Sequence, residues 1–489
     1  MQLNWSQLLS EERMFARNAG RFCEASSAFE EDYHRIIISA SFRRLQDKTQ
    51  VFTLDKSDYV RTRLTHSLEV SAVGKLLARR VCDLLATSGH AGVPVDDQCH
   101  AIREILMAAA FLHDIGNPPF GHSGEYTIRR FFEVALDEKC FAGRPLRDYL
   151  NQQMQGDFLH YEGNAQALRL FNKLHFLVEE DGLNLSFGLL ATIIKYPVSS
   201  LQIDPARSIR RKKMGYFHSE NELFSRIVRS CGLADSEVAI DAGEVPRHPL
   251  TFLLEAADDI AYNTADTEDA YRKGFISYIG LCRELEAAKS KPPYQAASPA
   301  VRLAYDHYCE DLEKQYQLAL STNYCEAEIY AIQNNLLYAQ QLMVEDVAAA
   351  FVERYLEIMS GSLESPITDG RISGLIISTL FDICERHAFH ARAISAMRIA
   401  CDSILSYLLE RFVSAIIPYD SEETLDPLQA GYIDLISRNY LSAYHRQAEG
   451  CDPAKRLYLR LMLVCDFICG MTDHYARDLY LHLTGSEIS

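Results

Sequence analysis

Apolar residues recur along this chain at spacings of three and four, and this period constrains its folding more than any other feature. Val70, Val73, Leu76, Leu77, Val81, Leu84 and Leu85 form one such stripe, which predicts an amphipathic helix with that face buried. Ile102, Ile105, Leu106, Ala109 and Leu112 repeat the pattern. This second helix is expected to end at Gly116, because Pro118 and Pro119 block its continuation. A third is expected from Ser123, as N-cap, burying Ile128, Phe131, Phe132 and Ala135. Leu250 to Asp269 reads as a long helix burying Leu253, Leu254, Ala257, Ile260 and Ala261. Strand-like alternation bounded by turn dipeptides is scarce, so the fold class is all-α. No fixed-period repeat is visible.

Probable connections are Ser88 to Asp97, Ala142 to Asp157, Pro197 to Tyr216 and Lys289 to Pro299. The last is the best linker candidate and places a soft boundary near residue 285. It divides an N-terminal part rich in His, Asp and Arg motifs from a C-terminal part that is mostly amphipathic helix. With 48% hydrophobic and 24% charged residues, the chain can bury a large core and is not of the disordered class. No apolar run approaches the roughly 18–20 residues that span a bilayer, and the N-terminus carries no secretory pattern. The 13 cysteines are scattered without a Cys-x-x-Cys pair, and Cys465 and Cys469 sit inside an apolar helical pattern. They read as reduced, mostly buried thiols in a cytoplasmic protein rather than a disulfide frame or zinc ribbon. A formal charge of −18 disfavours bulk electrostatic binding of nucleic acid. It leaves room for a polyanionic substrate where a metal ion and a few cationic side chains reverse the field locally. Two basic groups stand out: Arg43, Arg44, Lys48, Arg61 and Arg63, and later Arg207, Arg210, Arg211, Lys212 and Lys213. Either could equally be a solvated face.

Four residues carry the chemical argument: His66, the adjacent pair His113-Asp114, and the distant Asp258. Two imidazoles and two carboxylates suit a borderline or hard divalent ion such as manganese, iron, cobalt, zinc or magnesium. Neighbours on a helix diverge by about 100°, so His113 and Asp114 share one ion most readily near a helix end, where Gly116 and the prolines put them. Each ligand then comes from a separate helix, as in a bundle-core metal site. A lone His-Asp dipeptide says little. From His113 through Glu125, however, two histidines and two acids surround a glycine-proline turn, and an apolar helix that stops in so polar a turn is better explained by a site than by a core. His122 and Glu125 lie three apart at a helix start, so Glu125 can orient or tune the imidazole.

Five blocks carry a resemblance. Asp47-Lys-Thr-Gln-Val-Phe52, Arg61-Thr-Arg-Leu-Thr-His66-Ser, His113-Asp-Ile-Gly-Asn-Pro-Pro-Phe-Gly-His122, His160-Tyr-Glu-Gly-Asn-Ala-Gln166 and Glu255-Ala-Ala-Asp-Asp-Ile-Ala-Tyr262 resemble the motif series of bacterial dGTP triphosphohydrolases. These belong to the HD superfamily of deoxynucleoside triphosphate triphosphohydrolases. The blocks run from about Arg35 to Asp269, and Gly470-Met-Thr-Asp473 is similar to that family as well. Residues from about 285 to 460 match no motif. The resemblance implies an HD-domain helical bundle with a helical C-terminal extension. The expected divisions are an N-terminal segment 1–34, an HD core 35–285, and a region 286–489 that completes the pocket and oligomer interfaces.

The resemblance further implies that His66, His113, Asp114 and Asp258 ligate the metal, which favours Asp258 over Asp259. His122 is then the catalytic histidine and Glu125 its partner. Arg63, Lys195, Tyr196, His160 and Asn164 are implied phosphate contacts, and Gln50, Val51, Tyr262 and Asp266 implied sugar or base contacts, with Asp266 on the 3′-hydroxyl. On the residues alone, Lys195 could be a solvated lysine and His160 a structural one. Asp258, Tyr262, Asp266 and Asp269 share one helix face by spacing, which also fits a partly solvated acidic stripe. The implied products are deoxynucleoside and inorganic tripolyphosphate, with dGTP the leading substrate. A homo-oligomer built of dimers, a hexamer among the options, and a single-stranded DNA or nucleotide effector belong to the same expectation. Two alternatives stay open: another HD enzyme, either a cyclic-nucleotide phosphodiesterase or a guanosine-tetraphosphate hydrolase, and a noncatalytic nucleotide or nucleic-acid sensor.

Overall fold

A computed structural model describes residues 2–15, 27–54, 57–174 and 182–486. Part of the expected N-terminal segment, residues 16–26 with Cys23, lies outside the described residues. The architecture is all-α. Among the described residues the one sheet is a two-strand hairpin, Cys140–Phe141 against Arg144–Pro145, with Cys140 opposite Pro145.

The first stripe forms the helix Arg63–Thr87. Its start is set by Thr62, whose side chain accepts a hydrogen bond from the amide of Thr65 and satisfies one of the free N–H groups of the first turn. Val70, Val73, Leu77, Val81 and Leu85 are buried, each contributing roughly 1.5–3 kcal/mol of transfer free energy as an upper bound. Leu76, expected in the stripe, instead faces outward and is 56% exposed. This helix packs against Asp96–Leu112 and Pro249–Arg272. The latter begins with Pro249 at the position that needs no amide donor, capped by His248, which accepts from the amide of Leu250.

Two expected helix ends move. The second helix stops at Leu112, and His113 to Gly116 form turns beyond it, the amide of Asn117 donating to the carbonyl of Asp114. The third helix is His122–Glu138, and its N-cap is Gly121, not Ser123. Gly121 has φ +57° and ψ −129°, a conformation a side chain resists. A Cβ there would lie 2.5 Å from the guanidinium of Arg63. The turn before His122 is therefore drawn against Arg63 in a way only glycine permits.

Beyond residue 288, the stretch expected as a linker holds a short helix, Pro292–Ala296, and Pro299 opens the next long one, Pro299–Ser321. The helices that follow share the hydrophobic core of the N-terminal half. Ala327–Glu353 packs on both Arg63–Thr87 and Pro249–Arg272, Ile372–Cys384 packs on Pro249–Arg272, and Arg392–Ile416 packs on His122–Glu138. No described helix is long and apolar enough to cross a membrane, and none of the described cysteines forms a disulfide.

Candidate active site

Three helices deliver His66, His113-Asp114 and Asp258 to one point. His66 lies in the first turn of Arg63–Thr87, His113 and Asp114 follow directly on Asp96–Leu112, and Asp258 lies within Pro249–Arg272. One donor atom each from His66, His113 and Asp114 fall within 4.8 Å of one another. Oδ1 of Asp258 lies 3.0 Å from Nε2 of His66 and 3.5 Å from Nε2 of His113. The carboxylate of Asp114 approaches Nε2 of His113 to 3.7 Å. It is held in place by Arg63 at 2.7 Å, by the side-chain amide of Gln50 at 3.2 Å, and by Asn117 at 2.5 Å.

This cluster fits a cation. Nδ1 of His113 is 2.6 Å from the carbonyl of Ala110 and donates to it. Its buried Nε2 has no hydrogen-bond partner and faces two carboxylates. A lone pair turned toward negative charge is unfavourable unless a cation lies between them, and an imidazole fixed through its other nitrogen is the usual arrangement of a metal ligand. The surrounding charges favour a cation at this nitrogen, whether a proton or a metal ion. Burial opposes charge on His113, but Asp114 and Asp258 outweigh it and raise its pKa to about 9. Burial works against ionisation of Asp114 as well, yet Arg63 and the two histidines hold it down at about 2. Asp258 is held well below the ordinary carboxylate range by His113 and His66 against its burial.

Beside the cluster opens a cavity of about 490 Å³, whose wall includes Gln50, Val51, Arg63, His66, Asp114, His122, Asp258 and Tyr262. His122 stands at its edge with an 83% exposed side chain, its Nδ1 3.0 Å from Glu125. Glu125 is buried, accepts the amide of Gly163 at 2.8 Å through its other oxygen, and has Arg129 at 3.5 Å. Its charge raises the pKa of His122, chiefly through their hydrogen bond.

Other expected residues take different places. Asp266 is buried one turn beyond Tyr262, with Oδ2 unpartnered. Asp269 is engaged by Arg61 at 2.6 Å, and Arg61 also holds Glu268 and Glu69, so that end of the acidic stripe is an ion-pair network. Asp259 lines the cavity as well, near the charge of Lys195; burial pushes its pKa to about 7. Lys195, Tyr196, His160 and Asn164 are not part of the cavity wall. Lys195 pairs with Glu255 at 3.0 Å, Tyr196 lies beneath Lys195 and Arg247, His160 is exposed, and Asn164 donates to Glu162.

No sequence motif identifies the individual residues of the far wall. Phe381, Phe389, Ile394, Met397 and Arg398 close the cavity from the C-terminal half, and Phe389 ends a π-helical turn, Glu385–Phe389. Such turns often mark functional positions, but the sequence carries no pattern for one. It also left Lys213 undecided. Arg207, Arg210 and Arg211 pair with Glu244, whereas Lys213 bonds Glu162 at 2.9 Å and its charge reaches Glu125 and His122.

The HD domain pattern matches residues 63–143, the stretch from Arg63 past His122. A deoxyguanosinetriphosphate triphosphohydrolase-like protein of Listeria monocytogenes is 39% identical over 99% of this chain and 100% of its own length. One from Pseudomonas aeruginosa is 31% identical over 99% of both chains, and a deoxyguanosinetriphosphate triphosphohydrolase of Serratia proteamaculans is 26% identical over 99% of both. With its HD segment and its likeness to these relatives from end to end, the chain belongs to the deoxyguanosinetriphosphate triphosphohydrolase family of HD-domain proteins.

Proposed function

We propose that the protein hydrolyses deoxynucleoside triphosphates, dGTP foremost, to deoxynucleoside and inorganic tripolyphosphate in the cytoplasm. The observation that carries this reading is the convergence of His66, His113, Asp114 and Asp258 beside the His122–Glu125 pair at one cavity. The names of the relatives point to the substrate.

In this reading the two histidines and two aspartates would hold a divalent ion, manganese or magnesium first. Bound there, it would supply positive charge and Lewis acidity for attack at phosphorus. Arg63, buried against Asp114, adds a fixed guanidinium at the same end. Water adds to the α-phosphorus, the bond to the 5′-oxygen breaks, and that oxygen takes up a proton. His122 suits this transfer: Nδ1 faces Glu125, which leaves Nε2 for the reacting group. Glu125 fixes the tautomer and favours the protonated ring.

A triphosphate carries about four negative charges and needs several donors along its length. Lys195, Tyr196, His160 and Asn164 are proposed for this role, with Lys213 beside them. Gln50, Val51 and Tyr262 would face the sugar and base, and Asp266 would take the 3′-hydroxyl. Phe381 and Phe389 offer aromatic faces for the base. The homo-oligomer and the single-stranded DNA or nucleotide effector rest on family resemblance, and light scattering and effector titration check them.

The test is chromatographic. Each of the four dNTPs and GTP is incubated with protein and manganese or magnesium, and nucleoside, monophosphate and tripolyphosphate are resolved. The reading expects deoxynucleoside and tripolyphosphate, fastest from dGTP. Monophosphate with pyrophosphate, or binding without turnover, would remove it.

A further inference from the structure

We propose that Asp473, 353 residues downstream of Phe120, is a positioning residue that clamps two irregular segments of the site together: the stretch carrying Gln50 and Val51, and the turn that leads into His122. This rests on the reading of the cavity as the active site.

Asp473 is fully buried and opens the helix Asp473–Leu483, where the free amides and helix dipole favour a carboxylate. Its oxygens are divided between two distant segments. Oδ1 accepts the amide of Phe120 at 3.0 Å. Oδ2 accepts both the amide of Thr49 at 3.0 Å and its hydroxyl at 2.6 Å. No ion pair to Asp473 occurs among the described residues. Its three hydrogen bonds all go to the site segments.

Both segments need an external anchor. Residues 48–52 have no helix of their own, and Thr49 makes an isolated bridge to Thr62. Phe120 has φ +65°, the left-handed region that a non-glycine residue adopts only where its surroundings impose it. The Asp473 carboxylate fixes the amide of that residue, two positions before His122. One carboxylate thus sets the distance between the Gln50–Val51 wall and the His122 turn. Lys48 makes a parallel tie, its buried ammonium donating to the carbonyls of Asn117 at 2.6 Å and Cys469 at 2.8 Å. The C-terminal Gly470-Met-Thr-Asp473 segment therefore acts as the keystone between two N-terminal segments.

A purely structural aspartate and a positioning one differ in what their loss changes. Asp473→Asn keeps the size of the side chain but places an NH2 group against one of the two donor sets. The clamp predicts that the folded, manganese-loaded variant binds metal as wild type does, yet loses about 10- to 100-fold in kcat/KM, in both kcat and KM. Thr49→Val removes one hydrogen bond on the substrate side only. It should raise KM about 3- to 10-fold with kcat within about twofold, and Thr49→Ser should restore KM. In the Asp473→Asn background, Thr49→Val should add little. Amide exchange followed in peptides covering 48–52 and 117–122 should accelerate in Asp473→Asn and leave the core helices protected. Wild-type-like kcat and KM in folded Asp473→Asn would overturn the clamp. If that variant does not fold, unchanged KM and unchanged exchange at 48–52 in Thr49→Val overturn it. Should wild-type protein turn over none of the dNTPs, the functional reading fails, and the exchange measurements decide the clamp by themselves.

Discussion

Nε2 of His66 lies 3.0 Å from Oδ1 of Asp258 across 192 residues of sequence, and the same carboxylate oxygen lies 3.5 Å from the unpartnered Nε2 of His113. Three helices are needed to make this contact. The groups then favour positive charge between them, because each imidazole nitrogen faces a carboxylate.

Truncating either member of the central pair should therefore remove the cation and the reaction together. His113→Ala and Asp114→Ala are expected to abolish manganese binding in calorimetry and to lose turnover in parallel. The helices should persist in circular dichroism, since neither residue lies inside a regular element. Stoichiometric manganese binding in both variants would place the cation elsewhere.

His122 should behave differently. Its side chain is 83% exposed and lies 3.0 Å from Glu125, so little folding energy depends on it. His122→Ala is expected to bind manganese normally, unfold at the wild-type denaturant concentration, and lose roughly 10²–10⁴-fold in rate. Unchanged turnover would take this imidazole out of the reaction.

The pH profile reads the role of Glu125. Its carboxylate, held near 2, raises the pKa of His122 above the ordinary imidazole value. Glu125→Gln removes that charge, so the limb of the kcat/KM profile governed by His122 should move to lower pH. The measurement is the rate profile of both proteins over the neutral range. A limb that stays in place would show that the imidazole is not tuned from this side.

The helices that position these groups were legible because burial imposes a 3.6-residue period. The stripes around Val70, Ile105 and Ile260 predicted which faces turn inward, and those residues are buried. The polar turn after Leu112 was legible for the opposite reason, since a helix that stops among histidines and acids has no core to fill. Other features had no local signal. The wall formed by Phe381, Phe389, Met397 and Arg398 comes from helices whose apolar positions look like core, and only tertiary packing decides which of them border a cavity. Leu76 fits its stripe but lies at its edge, where solvent wins. Lys213 sits in a run of like charges, and the pairing of its neighbours with Glu244 sets it apart only in three dimensions.

His248 makes the stability of the fold depend on pH. It is buried and caps the Asp258 helix through the amide of Leu250, while Nε2 donates to the carbonyl of Leu8. Burial lowers its pKa to about 4. The unfolded chain, with an ordinary imidazole, takes up the proton first as pH falls. The stabilisation is full above the unfolded value and is lost between the two values, by about 2 kcal/mol from about pH 7 to pH 5. Urea unfolding of wild type and His248→Asn at the two pH values checks this: the variant should lose less on acidification. Equal slopes would mean that His248 is not buried as a neutral ring.

The central claim concerns one bond. Hydrolysis of dGTP in ¹⁸O-labelled water with manganese, followed by mass spectrometry and ³¹P NMR of the products, shows which atom the water attacks. Attack at the α-phosphorus predicts one labelled oxygen in the tripolyphosphate and none in the deoxyguanosine. Label in the nucleoside, or release of pyrophosphate and monophosphate, would contradict it.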